Sequence, residues 1–151
     1  MKIKYLWGLL ALAFFIAARL WAADSTQEVE LTANDQMKFN LTQIEARPGQ
    51  AIHVTLNNTG TMPKAVMGHN WILLKAGKDP IAYANAAISA AGENYEPKAL
   101  ASQVIASIRL LGPKQDGETT FVAPAAPGTY YYLCSFPAHC LAGMRGKLIV
   151  K

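Results

Sequence analysis

Cysteine is scarce in this chain: its 151 residues contain two, Cys134 and Cys140. That scarcity excludes a scaffold stapled by several disulfides. A bond between these two would close a very small loop, gain little chain entropy and consume a thiol that stands among other metal-binding side chains. Such a bond predicts no free thiol and no coloured metal complex. Internal repeats and long linkers are also missing, so the length allows one domain with a real core. Net charge is small once it is located. The formal +4 includes Lys2, Lys4 and Arg19 within residues 1–22, which hold no acid. The remainder carries 11 basic against 10 acidic residues, a net +1, and this near-neutrality gives no support to a nucleic-acid partner.

No apolar run is long enough to span a bilayer comfortably. Tyr5 to Ala18 is 14 residues, short of the roughly 20 that a spanning helix needs. The basic start Met1-Lys2-Ile3-Lys4, the apolar run and the small residues of Leu20-Trp21-Ala22-Ala23 read as a secretory signal over residues 1–22. The competing reading is a retained anchor, with Arg19 snorkelling. No cysteine follows the run, so a lipid-modified N-terminal cysteine has no candidate. Residues 23–151 then form an exported domain, periplasmic or tethered to the membrane facing the periplasm.

What is present in that domain is strand patterning. Ile52, Val54 and Leu56 alternate with His53 and Thr55, as Val29 and Leu31 alternate with Glu28, Glu30 and Thr32. Further strands are expected over 37–41, 44–46, 71–75, 105–111, 118–122, 129–134 and 147–151. Turn signals such as Arg47-Pro-Gly-Gln50 and Pro124-Ala-Ala-Pro-Gly128 separate them. About eight short strands predict an all-β Greek-key sandwich or small barrel. One segment departs from this pattern. Asp79-Pro80 matches a helix N-cap followed by proline, and an Ala-rich stretch follows, so a helical flap is expected at about 79–103.

The chemistry gathers in Cys134-Ser-Phe-Pro-Ala-His139-Cys-Leu-Ala-Gly-Met144. A thiolate, an imidazole and a thioether fall within eleven residues, and a second imidazole, His69, lies 65 residues upstream of Cys134. Two His, one Cys and one Met suit a copper ion that exchanges electrons. Thiolate bonding is strongly covalent, imidazoles stabilise the divalent state, and a weak thioether favours the monovalent one. Each residue alone has a plainer reading: a His before a strand, a core Met, a buried thiol. His53 faces away from its apolar row and reads as a surface histidine. Tyr130-Tyr-Tyr132 and Trp71 read as core aromatics before electron relays.

Asn34-Asp-Gln-Met-Lys-Phe-Asn40, Pro63-Lys-Ala-Val-Met-Gly-His-Asn-Trp71, Cys134-Ser-Phe-Pro-Ala-His139 and Gly146-Lys-Leu-Ile-Val150 together resemble the azurins and auracyanins, the blue copper cupredoxins. The resemblance implies a cupredoxin fold and one copper ion per chain. His69, Cys134 and His139 would form the trigonal plane, with Met144 as the long axial ligand and the Gly68 carbonyl opposite. It also implies that Asn70 braces the ligand loop through Ser135. Amides of Asn70 and Phe136 would donate to the Cys134 sulfur. Met37, Met62, Val66, Phe136, Pro137, Ala138 and Leu141 would surround the exposed edge of His139 as an uncharged apolar patch. Redox partners such as c-type cytochromes or oxidoreductases would dock there. Three features depart from azurins. His139 and Met144 are separated by one residue more than is usual, as in auracyanins; Cys140 replaces a small polar residue; and the usual azurin disulfide has no cysteines. Cys140 reads as a buried small hydrophobe, a spare thiol near the metal, or an oxidation liability.

The expected function is therefore an exported single-electron carrier, not an enzyme. The alternative, copper storage or delivery, would need an exposed and exchangeable site.

Overall fold

The computed structural model describes residues 25–151. The expected signal or anchor over residues 1–22 lies outside the described residues. Among the described residues, no helix is long and apolar enough to cross a membrane.

Among the described residues, nine strands build two sheets: β1 (Gln27–Asn34), β2 (Lys38–Phe39), β3 (Gln43–Ala46), β4 (Ala51–Asn58), β5 (His69–Leu74), β6 (Val104–Leu111), β7 (Asp116–Val122), β8 (Gly128–Leu133) and β9 (Arg145–Val150). One sheet has the order β2-β1-β4-β7 and the other β3-β9-β8-β5-β6. Parallel pairs β1/β4 and β3/β9 make both sheets mixed. This is the expected all-β sandwich.

Alternation explains which face of each strand turns inward. Val29, Leu31 and Ala33 of β1 and Ile52, Val54 and Leu56 of β4 meet Trp71, Leu73, Tyr130, Tyr132 and Leu148 from the other sheet in one core. Each fully buried aliphatic side chain there contributes about 1.5–3 kcal/mol. Trp71 and Tyr132 lie with ring centroids 5.7 Å apart, and the Tyr132 hydroxyl donates to the Leu41 carbonyl at 2.8 Å. The Tyr130 hydroxyl donates to the Ala126 carbonyl. Trp71, Tyr130 and Tyr132 are core residues as expected; Tyr131 is a correction, because strand alternation turns it to the outer face, where it is half-buried.

β5 alone is buried at every position, because the flap covers its outer face. Among the described residues there are two α-helices, α1 (Lys64–Met67) and α2 (Pro80–Ala87). Asp79 caps α2 by accepting the Ile81 amide at 2.9 Å, with Pro80 in the first turn. Short 3-10 turns over Ile88–Glu93 and Lys98–Gln103 complete the flap. Tyr83 and Ala84 of α2 pack with Ile72, Leu74, Leu133 and Cys140 in a second, smaller core.

Two local expectations are corrected, and one element is new. The strand anticipated over 37–41 shrinks to β2, because Met37 sits in a turn with φ 56°. The strand anticipated from Trp71 begins at His69. α1 was not anticipated: four residues carry no periodic signal.

Candidate metal centre

His69, Cys134 and His139 arrive from two directions at one end of the sandwich. β5 opens on His69, and α1 ends at Gly68 immediately before it. A Cβ on Gly68 would lie 2.7 Å from the Lys64 carbonyl oxygen and 3.1 Å from Leu110, so glycine is required for this approach. Cys134 follows directly on β8, and the loop to β9 carries His139.

The ligand loop is tied at both ends by its own backbone. The Cys134 amide donates to the Met144 carbonyl at 3.0 Å, and the Met144 amide donates to the His139 carbonyl at 2.9 Å. Gly143, with φ 97°, bends the chain back ahead of Met144. The extra residue before Met144 is thus absorbed in a helical turn, where the Ala142 amide donates to Ala138 and that of Gly143 to Cys140.

One imidazole nitrogen from each histidine and the Cys134 sulfur lie within 4.8 Å of one another. Cys134 Sγ is 3.4 Å from His139 Nδ1, and the two imidazole centroids are 4.9 Å apart. His69 is 0 %, Cys134 0 % and His139 2 % exposed. Neither nitrogen of His69 has a hydrogen-bond partner. The Asn34 carbonyl favours its protonated form, but the contact falls short of a hydrogen bond. A buried imidazole with both nitrogens unpaired is costly. A metal ion coordinated by one of these nitrogens removes that nitrogen's part of the cost, and the soft donor set fits copper.

Burial sets the protonation of the metal-free residues. Desolvation lowers the His139 pKa from 6.5 to about 4, and nearby His69 adds to the fall. It lowers His69 as well, against the opposing pull of Asp35. Desolvation pushes the Cys134 thiol up to about 12, against amide hydrogen bonds from Asn70 and Phe136 that favour the thiolate. The two expected amide donors are therefore in place. So is the Asn70 brace: its Nδ2 donates to Ser135 Oγ at 2.8 Å, and its Oδ1 accepts the Ser135 amide at 2.8 Å.

The family of copper binding proteins described as plastocyanin/azurin matches residues 25–151. This chain belongs to that family. Azurin of Bordetella pertussis is 36 % identical over 148 residues, covering 96 % of both chains. Auracyanin-A of Chloroflexus aurantiacus is 40 % identical over 118 residues, 77 % of this chain and 68 % of that one. Reduced auracyanin of Roseiflexus castenholzii superposes with a TM-score of 0.74 at 32 % identity, covering 84 % of this chain and 98 % of that structure. For auracyanin A, a "blue" copper protein, the TM-score is 0.73 at 34 % identity, with 84 % and 100 % covered. The chain is thus a blue copper electron-transfer protein of the cupredoxin class. A single copper at His69, Cys134 and His139 is its expected cofactor, and redox proteins in general are its partners.

Other expected residues fall as follows. Met144 is fully buried beside the site and Gly68 is buried. Both cysteines are free, which removes the disulfide reading. Cys140 is 1 % exposed and packs beneath the flap, with its thiol directed at the Pro80 carbonyl 3.6 Å away; it is a buried small hydrophobe. His53 lies on the far sheet between Glu28 and Glu118. Within the apolar patch, Met62, Val66 and Leu141 are 37 %, 54 % and 59 % exposed. The expected exposed edge of His139 is a correction, at 2 % exposed, and so is Phe136, at only 7 %. Its ring packs on His139 at 4.7 Å and on Tyr95 at 5.0 Å, so it shields the site.

Tyr95 was missed. It has φ 60°, and its carbonyl accepts the Ser135 hydroxyl, bringing the flap to the ligand loop. The signal that joins them is tertiary and has no sequence pattern.

Proposed function

We propose that this protein is an exported carrier of single electrons. In this reading residues 23–151 are the mature domain and residues 1–22 its signal. His69, Cys134 and His139 would hold the copper, with the Met144 sulfur and the Gly68 carbonyl as further, weaker donors. Bound copper supplies a one-electron couple between its divalent and monovalent states. The observation that carries the reading is a buried thiol and two buried imidazoles within 4.8 Å, with both His69 nitrogens unpaired.

The chain's own residues supply three further functions. The Asn70–Ser135 pair and the backbone ties of Met144 hold the donors in one arrangement. Such bracing limits movement between oxidation states. Phe136, backed by Tyr95, covers the His139 ring and excludes water. Around them Met62, Val66, Ala138 and Leu141 offer an exposed, uncharged surface for brief docking. A c-type cytochrome or an oxidoreductase is the kind of partner this surface would serve.

Copper storage or delivery is the weaker reading, because donor residues no more than 2 % exposed oppose rapid exchange.

The test is optical and electron paramagnetic spectroscopy of the copper-loaded mature protein, followed by stopped-flow electron exchange. An intense visible thiolate-to-copper band at one copper per chain, lost in Cys134→Ser, is expected. A colourless one-to-one complex would sink the proposal.

A further inference from the structure

The outer face of the five-stranded sheet is covered by the flap only in part. Along β8, Tyr130 and Tyr132 turn into the core, so Tyr131 turns out. On β9 Arg145 and Lys147 are exposed while Gly146 and Leu148 are buried. The register pairs Tyr131 with Lys147 and Leu133 with Arg145. Leu133 lies under α2; Tyr131 lies just past the edge of the flap. A hollow of about 610 Å³ opens there, between the turn Gly77–Ile81 and Tyr131, Arg145 and Lys147. A second hollow of about 390 Å³ shares those three residues and continues toward Thr42 and Gly143.

The groove is net positive, with three cations against one carboxylate. Lys78, Arg145 and Lys147 line it, and none forms an ion pair with a carboxylate among the described residues. The acid at its rim, Asp79, accepts the Ile81 amide as the α2 cap. Across the sheet Glu45 is engaged by Lys151 at 2.8 Å. A domain with a net charge near +1 thus concentrates three cations and a single carboxylate around one aromatic floor. The cavity lies within the 300–1,000 Å³ range typical of small-molecule sites. Its concavity suits a compact anion better than the face of a protein.

We propose that this groove is a binding site for a small multivalent oxyanion, a polycarboxylate or phosphate ester, with Lys78, Arg145 and Lys147 as charge partners and Tyr131 as the platform. Arg145 also donates to the Cys140 carbonyl at 3.4 Å, so an anion held by Arg145 touches the ligand loop through one side chain. The site stands independently of the electron-transfer reading.

The test uses copper-loaded full-length protein and trimesate, a rigid aromatic tricarboxylate. Calorimetry and backbone NMR follow the titration at low ionic strength. Saturable one-to-one binding that weakens as salt rises is expected, with the largest shifts at Tyr131, Lys147 and the 77–81 turn. Lys78→Gln and Lys147→Gln should each weaken binding about two- to five-fold, and together about ten-fold, while the visible absorption stays unchanged. Absence of saturation at tens of millimolar trimesate, or shifts centred elsewhere, would overturn the proposal. Tighter binding of an oligoglutamate peptide through the same cations would also overturn it, in favour of an acidic protein partner.

Discussion

Asn70 and Ser135 hold each other by two hydrogen bonds of 2.8 Å, one to the Ser135 amide and one to its hydroxyl. Asn70 follows the ligand His69 on β5, and Ser135 follows the ligand Cys134 at the end of β8. The pair therefore fastens together the two chain segments that carry the metal donors. Both residues are buried, which makes each bond hard to replace with water.

Asn70→Ala should loosen this fastening without touching a donor atom. It leaves the buried Ser135 amide unpaired, at a cost of about 1–3 kcal/mol. Copper affinity should fall roughly 10- to 100-fold. Competition against a chelator, read beside a denaturation curve, measures both. An unchanged affinity would show that the loop is held by its backbone ties alone.

Burial of neutral imidazoles and a neutral thiol fixes how metal uptake depends on protons. At pH 7 both histidines of the metal-free site are unprotonated, since His139 falls to about 4 and His69 is lowered. The Cys134 thiol, raised to about 12, still holds its proton. Uptake of Cu(II) should therefore release one proton per chain. Calorimetry in buffers of different ionisation enthalpy would count it.

The same pKa shifts give the metal-free fold a window of stability. A histidine whose pKa drops on folding makes the unfolded state the better proton binder below the ordinary 6.5. Stability should be kept above 6.5 and lost as pH falls from there toward about 4. A thiol whose pKa rises on folding works in the other direction. Stability should be lost as pH climbs from 9 toward about 12. Denaturation midpoints of apo-protein across this range test both edges; bound copper should remove the alkaline edge, because the coordinated thiol has already given up its proton, and keep the acid one.

Much of this was legible in the chain because strand alternation and the Cys134–Met144 spacing are local patterns. Ile52, Val54 and Leu56 face inward as their period requires. The Asp79-Pro80 cap starts α2 where the residues place it. What escaped depends on tertiary approach. Met37 takes a left-handed turn without being glycine, so nothing in its identity marks the early end of the strand. Tyr95 reaches Ser135 with a backbone carbonyl, a contact open to any residue type. Phe136 belongs by sequence to an apolar surface, yet a ring between His139 and Tyr95 is buried. Two-sided burial of β5 likewise depends on where the flap lands.

The proposed donation by Met144 can be separated from its packing. Met144→Leu retains volume and apolar character but has no donor atom. The intense absorption should remain, since it originates at the thiolate, and the reduction potential should rise because the divalent state loses a ligand. Voltammetry of the two proteins decides. A potential that stays level or falls would remove Met144 from the ligand set.

The burial of Phe136 also decides which substitution probes docking. A carboxylate placed there would be buried against the His139 ring, disturbing the site and the surface together. Leu141, at 59 % exposed, lies on the same loop with its side chain in solvent. Leu141→Glu should leave the visible and paramagnetic spectra unchanged while slowing electron exchange with a cytochrome about ten-fold, since a desolvated charge at a docking centre opposes association. Phe136→Glu should alter spectrum and rate together. Equal rates for Leu141→Glu and the parent would place the contact surface elsewhere on the molecule.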